Sequence, residues 1–230
     1  MSMTRAQLTT LTREVMNAVG SNQWSDATLQ TWLGLAHWQE YGNLLNVNNA
    51  YKMQQVSVTQ DSNGQFTVAS LSTGSGDTAK NFYRIITVAQ PASPVGQIQF
   101  FYQEVDFRQY PNPQPNTALP YVWYRMGDVI QILPVASGQG MTVTVNYRPP
   151  RVDQLSADSI TVDFPDGYEA LLAWRAAEMA VLKGGQENDA AAGYARTAEL
   201  IRREMLLDLG RQGVRPIVAK AFDDASDWGA

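Results

Sequence analysis

Three carboxylates, Asp163, Asp166 and Glu169, stand within one short stretch and are the closest this chain comes to a catalytic set. Two carboxylates at a set separation can hydrolyse a glycosidic bond. The same three acids also fall where a helix is about to start, and the helix dipole favours acids there without any chemistry. The pattern favours this second reading. His37 is the only histidine, so a Ser-His-Asp triad would have to use it. It lies in a helical pattern, no nucleophile-elbow sequence occurs, and it reads as a helix-face residue, packed or solvated. There is no cysteine, which removes thiolate nucleophiles, disulfides and thiolate metal sites, and one histidine rules out multi-histidine metal clusters. No catalytic, cofactor or metal site is expected, and no enzyme activity. Tyr121, Trp123 and Tyr124 could stack on sugars. On a strand Tyr121 and Trp123 share one face, which favours packing in a core or an interface.

Composition points away from nucleic acid and towards assembly. Of 230 residues, 44% are hydrophobic and only 17% charged, below the quarter usual for soluble domains. Neutral amides fill the gap, with 19 Gln and 12 Asn. Such a surface can be buried against a neighbour without stranding ions. The net charge is −5. The one local basic excess, Arg202, Arg203, Arg211 and Arg215, is interleaved with Glu199, Glu204 and Asp208, whereas a nucleic-acid groove needs clustered cations. No cleavable signal and no bilayer-length apolar run is read, so synthesis and assembly in the cytoplasm are expected.

The elements that must carry these residues follow from periodicity. Residues 4–19 read as an amphipathic helix, with Thr4 and Gln7 as a capping box, Leu8, Leu11, Val15 and Val19 inward, and Gly20 as its stop. Ser25 caps a second helix, with Asp26 in its first turn and Leu29, Trp32, Leu33, Ala36 and Leu44 buried. From residue 51 the period becomes two. Val56 and Val58 alternate, Asn63-Gly64 supplies a hairpin turn, and Phe66 and Val68 alternate again. Residues 72–80 read as a mobile Gly/Ser loop. Strands are expected near 82–90, 97–107, 121–126, 128–133 and 141–148, and the four prolines of 108–120 mark a stiff loop. A helix opening at Asp166 or Gly167 carries the Ala170, Ala173, Ala177, Ala180 stripe, which lets another helix approach closely, in this chain or in the next subunit. A last helix spans 188–209, with Glu199 and Arg203 paired on its outer face.

The predicted fold class is α+β. The terminal helices, 1–50 plus 151–210, form one helical bundle. Residues 51–150 form an inserted small antiparallel β-sandwich or barrel-like module with hinges near 50 and 151. Residues 211–230 form an extended C-terminal tail. Ile217, Phe222 and Trp228 are its isolated large apolar residues. Burying each would contribute ~1.5–3 kcal/mol, against ~1–2 kcal/mol of entropy per ordered residue. The tail is therefore either disordered or held by a larger surface, and the spaced anchors favour the second.

Three stretches in this order resemble a known family. They are Ser25-Asp26-Ala27-Thr28-Leu29 at the start of the second helix, residues 120–134 (PYVWYRMGDVIQILP) followed by Thr142–Tyr147 and Pro149, and residues 163–173 (DFPDGYEALLA) leading into the Ala-rich and final helices. The arrangement resembles the head-to-tail adaptors, or connectors, of tailed bacteriophages, over nearly the whole chain. The resemblance implies a virion protein at the head–tail neck, forming a dodecameric ring under the portal protein. It implies helices in the ring wall, a β-module facing a tail or nozzle component, and a DNA channel without sequence-specific binding. It makes Arg211, Arg215, Ile217, Phe222 and Trp228 the expected contacts to the portal or to a neighbouring copy. A mildly acidic ring suits DNA that must slide and not stick. Other readings are a head-completion or tail-terminator ring, a phage-borne peptidoglycan-cleaving or glycan-binding protein, and a cellular β-sandwich binding module.

Overall fold

A computed structural model of the chain describes residues 2–17, 24–48, 51–90, 101–106, 108, 121–135, 138–183 and 188–212. The protein is mixed α+β. In chain order it has helices α1 (Arg5–Val15) and α2 (Asp26–Val47), then strands β1 (Met53–Thr59), β2 (Gln65–Thr67), β3 (Asn81–Ala89), β4 (Phe101–Glu104), β5 (Val122–Met126), β6 (Val129–Leu133) and β7 (Gly140–Arg148), then helices α3 (Ala170–Lys183) and α4 (Asn188–Gln212).

The helix starts obey local chemistry. The Thr4 hydroxyl accepts the Gln7 N–H, and Gln7 Oε1 accepts the Thr4 N–H at 2.8 Å, so two otherwise orphan donors are satisfied reciprocally. The buried face of α1 is rotated from the expected Leu8, Leu11 and Val15. Leu8 and Thr12 are fully buried, while Leu11 and Val15 are half-buried. Thr12 can go inside because its hydroxyl donates back to Leu8 O at 2.8 Å. Ser25 Oγ accepts the Thr28 N–H, and Asp26 pairs with Arg13 at 2.6 Å, tying α2 to α1. The five apolar residues expected inside α2 are all buried. The helix after Gly167 starts at Ala170, three residues later than expected, because Gly167 sits at φ +87° in a turn.

All four helices contribute to one apolar cluster, with Leu8, Leu33, Leu44, Leu172, Ala176 and Met205 among its members. α3 touches α1, α2 and α4. Its Ala173, Ala177 and Ala180 have no exposed surface, so the small-residue stripe packs against helices of the same chain. In the middle of this region lies Glu40, also without exposed surface. Arg175 Nε donates to it at 3.0 Å and Arg202 Nε at 2.7 Å, and a second Arg202 nitrogen also donates. The two arginines reach outward to Glu178 (2.8 Å) and Glu199 (2.7 Å from Arg202). A network thus joins α2, α3 and α4 through one carboxylate. Glu199 also lies 3.5 Å from Arg203, the outer pair expected from sequence.

The strands form one seven-stranded sheet in the order β1-β7-β3-β4-β5-β6-β2. Every neighbouring pair is antiparallel except β4 and β5, which are parallel. The expected Asn63-Gly64 hairpin does not form, and β1 and β2 are instead the two opposite edges. The local reason is Asp61. Its Oδ1 accepts the N–H groups of Asn63 and Gln65 at 2.8 Å each, and its own N–H donates to Gln65 O at 2.9 Å. With Gln65 engaged there, β2 pairs with β6. The edges are joined through residues 60–64, which extended span at most about 20 Å. The sheet must therefore curl until its edges approach each other, and it is nearly closed. Val58, Phe66, Val88, Trp123, Ile132 and Val143 are among the residues that fill it.

The stretch 72–80, expected to be mobile, is tied down. Thr73 and Lys80 exchange backbone hydrogen bonds at 3.2 and 2.7 Å, and Asp77 accepts the Ser156 N–H at 2.7 Å. Its Gly and Ser content signals turn geometry, here a 3-10 turn at Gly76–Thr78, and not disorder. The sheet meets the helices along the C-terminal half of α2. Arg84 donates to Leu45 O at 2.8 Å, Tyr83 Oη to Asn46 at 3.0 Å, and Asn146 to Tyr51 O at 3.1 Å. The Arg148 guanidinium stacks 4.2 Å from the Tyr83 ring centre and 5.2 Å from that of Trp38. Gly42 makes this possible, since a Cβ there would lie 2.4 Å from an Arg148 nitrogen.

Removing Glu40 leaves two guanidinium groups facing each other in a largely buried site. Glu40→Ala is expected to cost about 3–5 kcal/mol in urea unfolding. Replacing Glu40, Arg175 and Arg202 together by apolar residues of similar volume is expected to recover most of that loss.

Candidate assembly surfaces

The three carboxylates come to one region but are each engaged separately. Asp163 pairs with Lys52 at 3.3 Å. Asp166 accepts the Ser2 hydroxyl, and that hydrogen bond holds its carboxyl below the usual range. Glu169 is buried, and its Oε2 accepts the Gly167 N–H at 2.8 Å. Around Asp163 and Asp166 lies an open cleft of about 1000 Å³ whose far wall is Ile201, Glu204, Asp208 and Leu209 of α4. Tyr168 donates to Asp208 across it, which raises the phenol to about 12. The acids act as tethers to Lys52, Ser2 and the Gly167 N–H, and the Tyr168–Asp208 hydrogen bond ties the approach to α3 to α4.

His37 is packed, not solvated. Its Nε2 donates to Asp163 O at 3.0 Å, and its ring lies edge-on to Tyr41 and Phe164. Burial pushes its pKa below 6.5, against the raising effects of the Asp163 carbonyl and of the Asp163 and Asp153 charges. The aromatic run is also structural. Trp123 and Tyr124 are buried, and Tyr121 packs edge-on to Tyr102 at 5.3 Å. Trp123 and Tyr124 are packed in clusters and offer no free face to a sugar.

A family model described as SU10 adaptor protein matches residues 3–219. The chain belongs to that family. It is a phage head-to-tail adaptor, a structural component of the virion that contacts other head and tail proteins. No curated protein matches it. As an SU10 adaptor, the chain is to be read by what its surface offers to neighbours. No helix among the described residues is long and apolar enough to cross a membrane.

Of the residues expected to bind partners, Arg211 has its backbone in the last turn of α4, which runs to Gln212 and so takes in the first two residues assigned to the tail. Arg215, Ile217, Phe222 and Trp228 lie outside the described residues. Two exposed apolar patches were not foreseen. One is on the outer face of α4, where Leu200 and Leu207 are about 60% exposed and flank Arg203. The other is on α2, where Leu35 and Trp38 are partly exposed. The heptad spacing of Leu200 and Leu207, with Arg196 and Arg203 between the turns, is the signal that could have found the first. Glu40 also had a signal. It sits four residues after Ala36 and four before Leu44, inside the apolar stripe of α2, where a charge demands a partner.

A histidine with a lowered folded pKa destabilises the fold in acid. Below pH 6.5 the unfolded chain takes up a proton that the folded chain refuses, so stability falls from there down to the folded pKa. Between pH 7 and 5 the native chain should lose up to about 2 kcal/mol more than His37→Gln, which keeps a donor for Asp163 O. Urea titrations of both proteins at the two pH values measure the difference.

Proposed function

We propose that copies of this adaptor close into a ring of twelve below the portal, extend the DNA channel, and present a platform to the tail. The family match over residues 3–219 carries this reading. In it, residues 1–50 with 151–210 form the ring wall, 51–150 face the next tail component, and the segment after α4 reaches the portal.

The surface supports ring formation. A closed ring needs heterologous contacts, one patch meeting a different patch on the next copy. Leu200 and Leu207 on α4 and Leu35 and Trp38 on α2 offer two such patches on different helices. Trp38 is held from behind by Arg148, so its exposed edge is presented on a rigid base. A stable contact needs roughly 800 Å² per partner, which apolar residues on a 25-residue helix can seed.

The segment that reaches the portal carries Arg211, Arg215, Ile217, Phe222 and Trp228. Arginine and large aromatics are the residue types that dominate binding energy at such contacts. A chain ending at Gln212 is expected to fold, with unchanged thermal unfolding, and to lose co-purification with portal. Trp228→Ala alone should weaken portal binding about thirtyfold, a cost of ~2 kcal/mol. Undiminished portal capture by the truncated chain would reject the tail as the contact.

A further inference from the structure

Arg148 is a cation without an anion. Its guanidinium stacks on Trp38 and Tyr83, and its Nε is buried with no acceptor. Among the described residues its side chain makes no hydrogen bond and no ion pair. A guanidinium drawn partly out of water normally takes a carboxylate or a carbonyl in exchange. The face beside it is also short of charge. Beyond its first turn α2 exposes Thr31, Leu35, Trp38, Gln39, Asn46 and Val47, none of them charged. Charge is depleted in this way at the centre of protein interfaces, where aromatic residues and arginine are enriched.

The outer face of α4 has the missing charge. Glu204 is exposed, and among the described residues it has no ion pair or hydrogen bond of its own. A step of three residues along a helix falls about 60° short of a turn, and a step of four goes about 40° past one. Counted from Leu200, Arg203 therefore stands on one flank of the Leu200 and Leu207 stripe and Glu204 on the other. Counted from Leu35, Trp38 with its Arg148 stands on the first kind of flank and Gln39 on the second. The two faces share one layout.

Their relative direction follows from ring symmetry. Within one chain Arg202 meets Glu40 and, further along both helices, Asn48 meets Leu209 O, so α2 and α4 run the same way. In a ring of twelve, successive copies differ by a rotation of about 30°, which tilts no helix by more than that. α4 of one copy therefore runs with α2 of the next, not against it. In a parallel pair packed face to face, the flank reached by four residues on one helix lies beside the flank reached by three on the other, as e and g positions do in a parallel coiled coil.

Resting on the ring proposed above, we infer that α4 of each copy packs along α2 of the next, with Leu200 on Leu35 and Glu204 paired to Arg148. Glu204 lies about 6 Å along the axis from Leu200. Arg148 packs on Trp38 and Gly42, which lie about 4.5 and 10.5 Å along the axis from Leu35. The carboxylate therefore arrives level with the guanidinium. Leu207 lies over Gly42 and the Arg148 side chain that fills its space, and Arg203 meets the amide of Gln39.

The test uses the full chain mixed with portal. Glu204→Arg, a change at an exposed site, should raise the concentration needed for half assembly by about tenfold or more, with unchanged thermal unfolding. Adding Arg148→Glu to it should restore assembly. A second readout changes no charge. Because the chain has no cysteine, Leu35→Cys combined with Leu200→Cys in one chain should give ladders of disulfide-linked chains on the portal, and neither change alone should give them. If Arg148→Glu disturbs the stack on Trp38 and does not rescue, the ladders decide. Half assembly unmoved by Glu204→Arg overturns the ion pair. A defined portal complex without ladders overturns the face pairing and leaves the ring standing. No defined complex from the unaltered chain overturns the ring and the pairing with it.

Discussion

Glu40 has no contact with water, and α2, α3 and α4 all close on it through Arg175 and Arg202. Burying an ion costs several kcal/mol, and the geometry here offsets it with two guanidinium partners and an amide from Asn43. The network supplies what the alanine stripe of α3 cannot. A row of small residues allows close approach, but it fits a partner helix equally well at several positions. Glu40 meets arginines at one position on each helix, so it selects a single register for the three. The position of Leu200 and Leu207 relative to Leu35 and Trp38 follows from that register.

The second constraint acts on the other side of the same stretch of α2, at Trp38 and Gly42. Arg148 stacks on Trp38, Arg84 donates to Leu45 O in the last turn, and Asn146 donates to Tyr51 O beyond the helix. Gly42 costs helix propensity, about 1 kcal/mol relative to alanine, and its missing side chain leaves the space that Arg148 occupies. One helix therefore anchors both halves of the protein, by an ion network on one side and by a stacked cation on the other.

Much of the helical part was legible from local signals. Thr4, Gln7, Ser25 and the buried face of α2 follow from capping and a 3.6-residue period, which need only near neighbours in sequence. The sheet was legible as strands but not as pairings. Asn63-Gly64 is a strong hairpin signal, yet Asp61 competes for Gln65, and the partner of β2 comes from residues 129–131. Which strand a strand pairs with is decided by contacts far apart in sequence, and here by a sheet that curls back on itself. The loop at 72–80 failed for a related reason, since its tether is Ser156. The candidate acids near residue 166 were read as lying at a helix start, but the helix begins at Ala170 with no acid in its first turn; only Glu169 borders it, and Asp163 and Asp166 bond to Lys52 and Ser2. The outward α4 stripe and the buried Glu40 were both visible as misplaced residue types, a leucine outside and a glutamate inside.

A ring below the portal requires the chain to assemble on a portal. Native mass spectrometry of the purified adaptor, alone and mixed with its portal, measures this directly. The account predicts one large complex of defined mass when portal is present, with twelve adaptor copies per portal assembly. Free adaptor and free portal as the only species, at concentrations where both are folded, would contradict it.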